Sequence, residues 1–117
     1  MKEFWTNETD EALIKYVTTE DMDEKNRLYN NHLFTPFRKL IDVLLERYSI
    51  PIVDNDLKFD ILTFLVEHVE RFNPYMEKPN GKAYCIVIIR SWFADWKIKT
   101  AQQKKLSFDV YHETNIK

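Results

Sequence analysis

The sequence predicts an all-α fold, on three observations. The 117 residues include one Gly and four Pro, few for a sheet joined by tight turns. Its apolar residues recur at three- and four-residue steps over long stretches. Between Lys82 and Gln103 there is neither Gly nor Pro, and strands rarely run so far. With 44% hydrophobic residues the chain can bury one core, so a compact helical domain of about four to five helices is expected.

The elements follow in order. "TNETDEALIKYV" sets Thr, Asn and Asp ahead of Ala12, Leu13, Ile14, Tyr16 and Val17, which reads as a capped short helix. "DMDEKNRLYNNHLF" offers Met22, Leu28, His32 and Leu33 at loose helical spacing. "TPFRKLIDVLLERYSIP" then makes Thr35 a cap and Pro36 the first helical residue. Phe37, Leu40, Ile41, Leu44, Leu45 and Tyr48 form its apolar stripe, and Pro51 closes it. The two stretches read equally as one kinked helix or as two.

In "DNDLKFDILTFLVEHVERF", Asp54 or Asp56 caps a helix whose buried stripe is Leu57, Ile61, Phe64, Leu65, Val69 and Phe72. Lys58, Asp60, Glu67, Glu70 and Arg71 fall mostly outside that stripe. "NPYMEKPNG" is a loop with two prolines and an Asn-Gly turn. The last element is ambiguous by propensity, because Ile86, Val87, Ile88 and Ile89 are β-branched in succession. Its length decides for a helix. Cys85, Ile89, Trp92 and Trp96 then share a face with Phe93 beside them, and Arg90 and Lys97 lie roughly opposite. For Trp92 and Trp96 a place in the core is the preferred reading.

Composition narrows the function classes. Net charge is −2, which argues against a general nucleic-acid binder, but the charge is polarised. Residues 1–25 hold eight acids and three bases, whereas residues 82–105 hold six bases against Asp95. Such asymmetry points to an acidic partner at the basic end. Cys85 is the only cysteine, which suits a reducing compartment. No apolar run approaches the roughly 20 residues that span a bilayer, so no membrane association is expected. His32, His68 and His112 lack metal-ligand spacing, and there is no glycine-rich phosphate loop. No enzyme activity and no cofactor are expected.

"DLKFDILTFLVEHVERFNP" followed by "KPNGKAYCIVIIR" resembles region 2 of bacterial RNA polymerase sigma factors. The landmarks are Asp56-Leu57, Arg71-Phe72-Asn73, Ala83-Tyr84 and Ile89-Arg90, in the family's order. The closer resemblance is to the late-promoter sigma factors of large tailed bacteriophages. "FWTNETDEALIKYV" is similar to their aromatic-Asn-acidic entry, "FRKLIDVLLERYS" to their next long helix, and "EKPNGKAYC" to their Lys-Asn-Pro-His-Ala-Tyr step. The resemblance covers about residues 4–105. It divides the chain into a sigma region 2-like domain, 1–105, and a C-terminal tail, 106–117.

The resemblance implies a non-catalytic module in the cytoplasm of an infected bacterial host. It would bind host core RNA polymerase, at the clamp helices of the largest β-type subunit, through Asp56, Lys58, Asp60 and Glu67. Promoter DNA just upstream of the start site would meet Tyr75, Lys82, Tyr84, Arg90, Ser91, Lys97, Lys99, Lys104 and Lys105. Two departures from the family's pattern bear on this. Val87 and Ile88 stand where ordinary sigma factors carry adjacent tryptophans, and Ser91 and Ala94 occupy the polar base-reading positions. The tail "LSFDVYHETNIK" reads two ways. It resembles a terminus that binds the phage DNA sliding clamp, with Leu106, Phe108, Val110 and Tyr111 as its apolar contacts. It also resembles the aromatic stretch that follows the last basic helix in the same family. The competing functions are a helical DNA-binding regulator and an adaptor that does not replace sigma.

Overall fold

Trp5 is buried ahead of the first helix, its indole stacked on Phe37 with ring centroids 6.1 Å apart. The computed structural model describes the backbone of residues 4–50 and 55–115, and the side chains of 4–50 and 56–101. Among the described residues every regular element is helical, as the composition predicted.

Helix α1 spans Asn7–Thr18. Of the three candidate caps, Thr6 is the one used: its Oγ1 accepts from the Thr9 amide while Thr9 Oγ1 accepts from the Thr6 amide, a reciprocal capping box. Helix α2, Met22–Leu28, is capped by Asp21, whose carboxylate accepts from the Asp23 amide at 3.0 Å.

No break separates α2 from the next helix. A π turn over Tyr29–Leu33 leads directly into α3, Phe34–Arg47, so the two predicted stretches form one continuous helical run. Thr35 is therefore not a cap; it lies inside α3, and Leu33 in helical conformation precedes it. The wide turn, closed by the Phe34 amide on the Tyr29 carbonyl, adds a residue to the repeat. That addition brings Leu28, Leu33 and Phe37 to the core together, while Met22 and His32 stay exposed. Pro36 is likewise not the first helical residue: it is the third residue of α3, inside the continuous run and just after the π turn, and has no N–H to give to the ladder.

Pro51 lies outside the described residues, and α3 closes before it. Ser49 adopts left-handed φ of 52°, the Ile50 amide bonds the Leu45 carbonyl, and the Ser49 amide bonds Glu46. This is a Schellman end, with Ile50 and Leu45 both buried.

Helix α4 spans Asn55–Val69 and buries Ile61, Leu65 and Val69 completely. Asp56 sits within its first turn and so is not its cap; Asp54 lies outside the described residues. Helix α5 runs from Gly81 to Asn115 without interruption. Its cap is Asn80, whose Oδ1 accepts from the Ala83 amide at 3.0 Å. Asn80-Gly81 is thus a helix start and not a turn, and Gly81 has no positive φ. Burial overrides the β-propensity of 86–89: Cys85, Ile88, Ile89 and Phe93 enter the core at three- and four-residue steps. The backbone passes the expected boundary at 105/106 in unbroken helix.

Helices α4 and α5 pack most extensively on each other, with α1 and α3 covering their inner faces. Lys25 on α2 reaches Glu70 at 2.7 Å, just past the end of α4, and lies over the Tyr16 ring. These contacts fix α4 and α5 as neighbours whose outer faces point to solvent.

Candidate nucleic-acid and protein interfaces

The outer side of α4 is acidic. Asp56, Asp60 and Glu67 are all exposed and lie within about 40° of one another around the helix axis. Lys58 does not join them. It belongs to the inner side, half-buried, with Nζ 2.9 Å from Asp42 Oδ1 on α3. Thus three of the four predicted protein-binding residues share a face, and the fourth is held by an internal ion pair. His68 is also occupied: its Nδ1 is 2.8 Å from the Phe64 carbonyl, and its ring lies on Phe64.

The residues predicted to meet DNA divide into groups. Arg90 and Lys97 are exposed and fall within about 20° on α5, with Ser91 and Ala94 on the same outer side. Lys99 is exposed but lies about 180° from Arg90. Lys82 is half-buried at the start of α5, with Nζ 5.3 Å from the Phe4 ring centroid. The Arg90 guanidinium lies 6.0 Å over Tyr48, which in turn meets Phe93 edge-on at 5.7 Å. The backbone of Lys104 and Lys105 is helical; their side chains, and those of Leu106, Phe108, Val110 and Tyr111, lie outside the described residues.

The two tyrosines differ sharply. Tyr75, in the loop between α4 and α5, is 83% exposed. Tyr84 is half-buried, its ring 5.4 Å from Phe72. Val87 is 61% exposed while Ile88 is buried, so one of these two adjacent positions faces out and the other packs inward. Trp92 and Trp96 stack on each other at 6.4 Å and pack against the core, as preferred from their spacing.

Sequence reasoning missed one surface. An apolar groove runs beside α4, lined by Tyr29, Phe34, Phe59, Leu62 and Val66. The available signal was Phe59, a large aromatic about 120° off the Ile61–Leu65–Val69 stripe. Burial raises the pKa of Tyr29, with a smaller contribution from Tyr16. The Cys85 thiol is buried and pushed up to about 12, chiefly by desolvation, so it presents no reactive thiolate. Among the described residues no cluster of His, Cys, Asp and Glu is arranged to hold a metal ion, and no helix is long and apolar enough to cross a membrane. The chain matches no protein-family model, no curated protein and no solved structure.

Proposed function

We propose that this chain is a phage-encoded sigma factor that binds host core RNA polymerase and directs it to late promoters. The observation that carries this reading is the division of labour between two adjacent helices. The outer side of α4 presents Asp56, Asp60 and Glu67, and the outer side of α5 presents Arg90 and Lys97. An acidic row repels phosphate and suits a basic protein surface; a basic row neutralises phosphate. The order of motifs that resembles sigma region 2 assigns these same two helices to polymerase and promoter.

In this reading α4 docks on the clamp helices of the largest β-type subunit, and docking sets α5 against the start-proximal promoter element. Arg90 and Lys97 contact the backbone, which positions the module without reading sequence. Tyr75, the most exposed of the large apolar side chains among the described residues, stacks on an unpaired base once the strands open. The segment 106–117 is the part available to the phage sliding clamp. The module acts in the cytoplasm of the infected host and carries no catalysis of its own.

Run-off transcription tests it. Core polymerase, phage DNA and this protein should yield discrete late transcripts that core polymerase alone does not produce. Absence of such transcripts, with salt-dependent DNA binding retained, would return the chain to the class of helical DNA-binding regulators.

A further inference from the structure

The outward side of α5 carries no charge along its middle line. Val87, Ser91, Ala94, Ile98 and Ala101 are all exposed and recur at steps of four, three, four and three. On the helix they fall within an arc of about 80°, directly opposite the buried Cys85 and Ile89. Val87 is 61% exposed and Ile98 58%. Lone exposed apolar residues are ordinary, whereas a four-three repeat of them is the seam of a coiled coil. Ser91, Ala94 and Ala101 are small, so a second helix can come close to the backbone around the two larger side chains.

The charged residues of this stretch stand on opposite flanks of the seam. Arg90 and Lys97 lie about 60–80° to one side of Val87, and Asp95 lies about 80° to the other. Among the described residues neither Arg90 nor Asp95 is in an ion pair; the Arg90 guanidinium rests over the Tyr48 ring at 6.0 Å. This arrangement fits a second copy of the same chain in one orientation. With two α5 helices parallel and in register, Arg90 of each copy reaches Asp95 of the other, and the two-fold axis makes that pair twice. Antiparallel pairing would instead set the Arg90 and Lys97 flanks against each other, like charge on like.

We infer that two copies of this chain pair through the α5 seam as a parallel two-stranded coiled coil, Val87 on Val87 and Ile98 on Ile98. The seam from Val87 to Ala101 covers two heptads, about 21 Å, which is short for a coiled coil, so the dimer is reversible and depends on concentration. Arg90 cannot hold Asp95 and a phosphate at once. Pairing therefore belongs to the free protein, and DNA contact replaces it. The inference goes beyond the sigma reading and does not depend on it.

Sedimentation equilibrium of the full-length chain over a range of concentrations tests it, with neither polymerase nor DNA present. Wild type should move between monomer and dimer. Val87→Glu and Ile98→Glu, both at exposed positions, should each weaken association about tenfold or more. Asp95→Arg should weaken it severalfold, and Arg90→Asp added to Asp95→Arg should restore it, a rescue that a misfolded variant cannot mimic. Val87→Cys should form an intermolecular disulfide on mild oxidation, because Val87 meets its own copy in the parallel arrangement alone, and the native Cys85 is buried. A wild type that stays monomeric at every concentration overturns the inference. So does a dimer that both glutamate variants leave intact, or one in which Val87→Cys does not cross-link.

Discussion

Gly81 at the start of α5 faces Leu13 on α1 so closely that a Cβ there would lie 2.5 Å from Leu13 Cδ2. Leu13 is fully buried, so its Cδ2 can give way only by a rotamer change within the core. The only glycine in the chain is thus needed for a close approach of two helices and not for a left-handed backbone. Gly81→Ala should destabilise the fold by about 1–3 kcal/mol through overpacking. Shortening Leu13 should relieve it. In a double-mutant cycle, Gly81→Ala and Leu13→Ala should cost less together than the sum of their separate effects. Additive losses in urea unfolding would show that Leu13 is not the obstruction.

The acidic row of α4 is separable from the fold. Asp60 and Glu67 are exposed, so reversing both to Arg should leave helicity unchanged and weaken core-polymerase binding in a salt-dependent manner. Lys58 gives the contrast. Because its ammonium is turned to Asp42, Lys58→Ala should cost at most about 1 kcal/mol of stability and leave polymerase binding near wild type. Co-elution of each variant with core enzyme, read beside circular dichroism, checks both.

On α5 the charge variants should act uniformly. Arg90→Ala and Lys97→Ala should each weaken binding at every promoter sequence and flatten the salt slope by about one unit. Titrations over a range of salt on two unrelated promoters measure both effects.

The tyrosines should separate stability from strand opening. Tyr84 packs on Phe72, so Tyr84→Ala should lower stability by on the order of 1–2 kcal/mol. Tyr75 is 83% exposed, so Tyr75→Ala should leave the melting temperature unchanged and reduce thymine reactivity to permanganate in the open complex. Normal permanganate reactivity in the Tyr75 variant would remove that residue from strand capture.

Alkali should weaken the fold through Cys85. Burial moves its thiol from 9.0 to about 12, so between those values the unfolded chain releases a proton that the folded chain keeps. Stability is therefore intact below about pH 9 and falls as pH rises toward 12. Tyr16 and Tyr29, raised mainly by burial, act in the same direction at higher pH. Cys85→Ala should flatten the dependence of the urea midpoint on pH just above 9; an unchanged slope would assign it to the tyrosines alone.

What the sequence made legible was periodic. The stripes Phe37–Leu45 and Ile61–Val69 are apolar at helical spacing, and every residue of them predicted as core is buried or packed against the core. The π turn was not legible, because a one-residue insertion in the hydrogen-bond ladder leaves no residue type behind it. Thr35-Pro36 even mimics a helix start. The position of Lys58 was hidden for a related reason. At the end of a helix a long side chain reaches a neighbouring element, and Asp42 is sixteen positions away in the chain. The groove escaped because it belongs to several helices jointly, and periodicity describes one helix at a time.

Helix α5 also acts as an indexing shaft. Thirty-five residues in one helix extend about 52 Å, and each residue turns the next by about 100°. Residues 106–115 are therefore held at a set rotation from Arg90, so whatever engages that end inherits an angle as well as a distance. Adding residues between Trp96 and Leu106 would alter the angle far more than the reach. One extra residue would swing the far end by about 100° for a gain of about 1.5 Å, whereas seven would return it to within about 20° while extending it by about 10 Å.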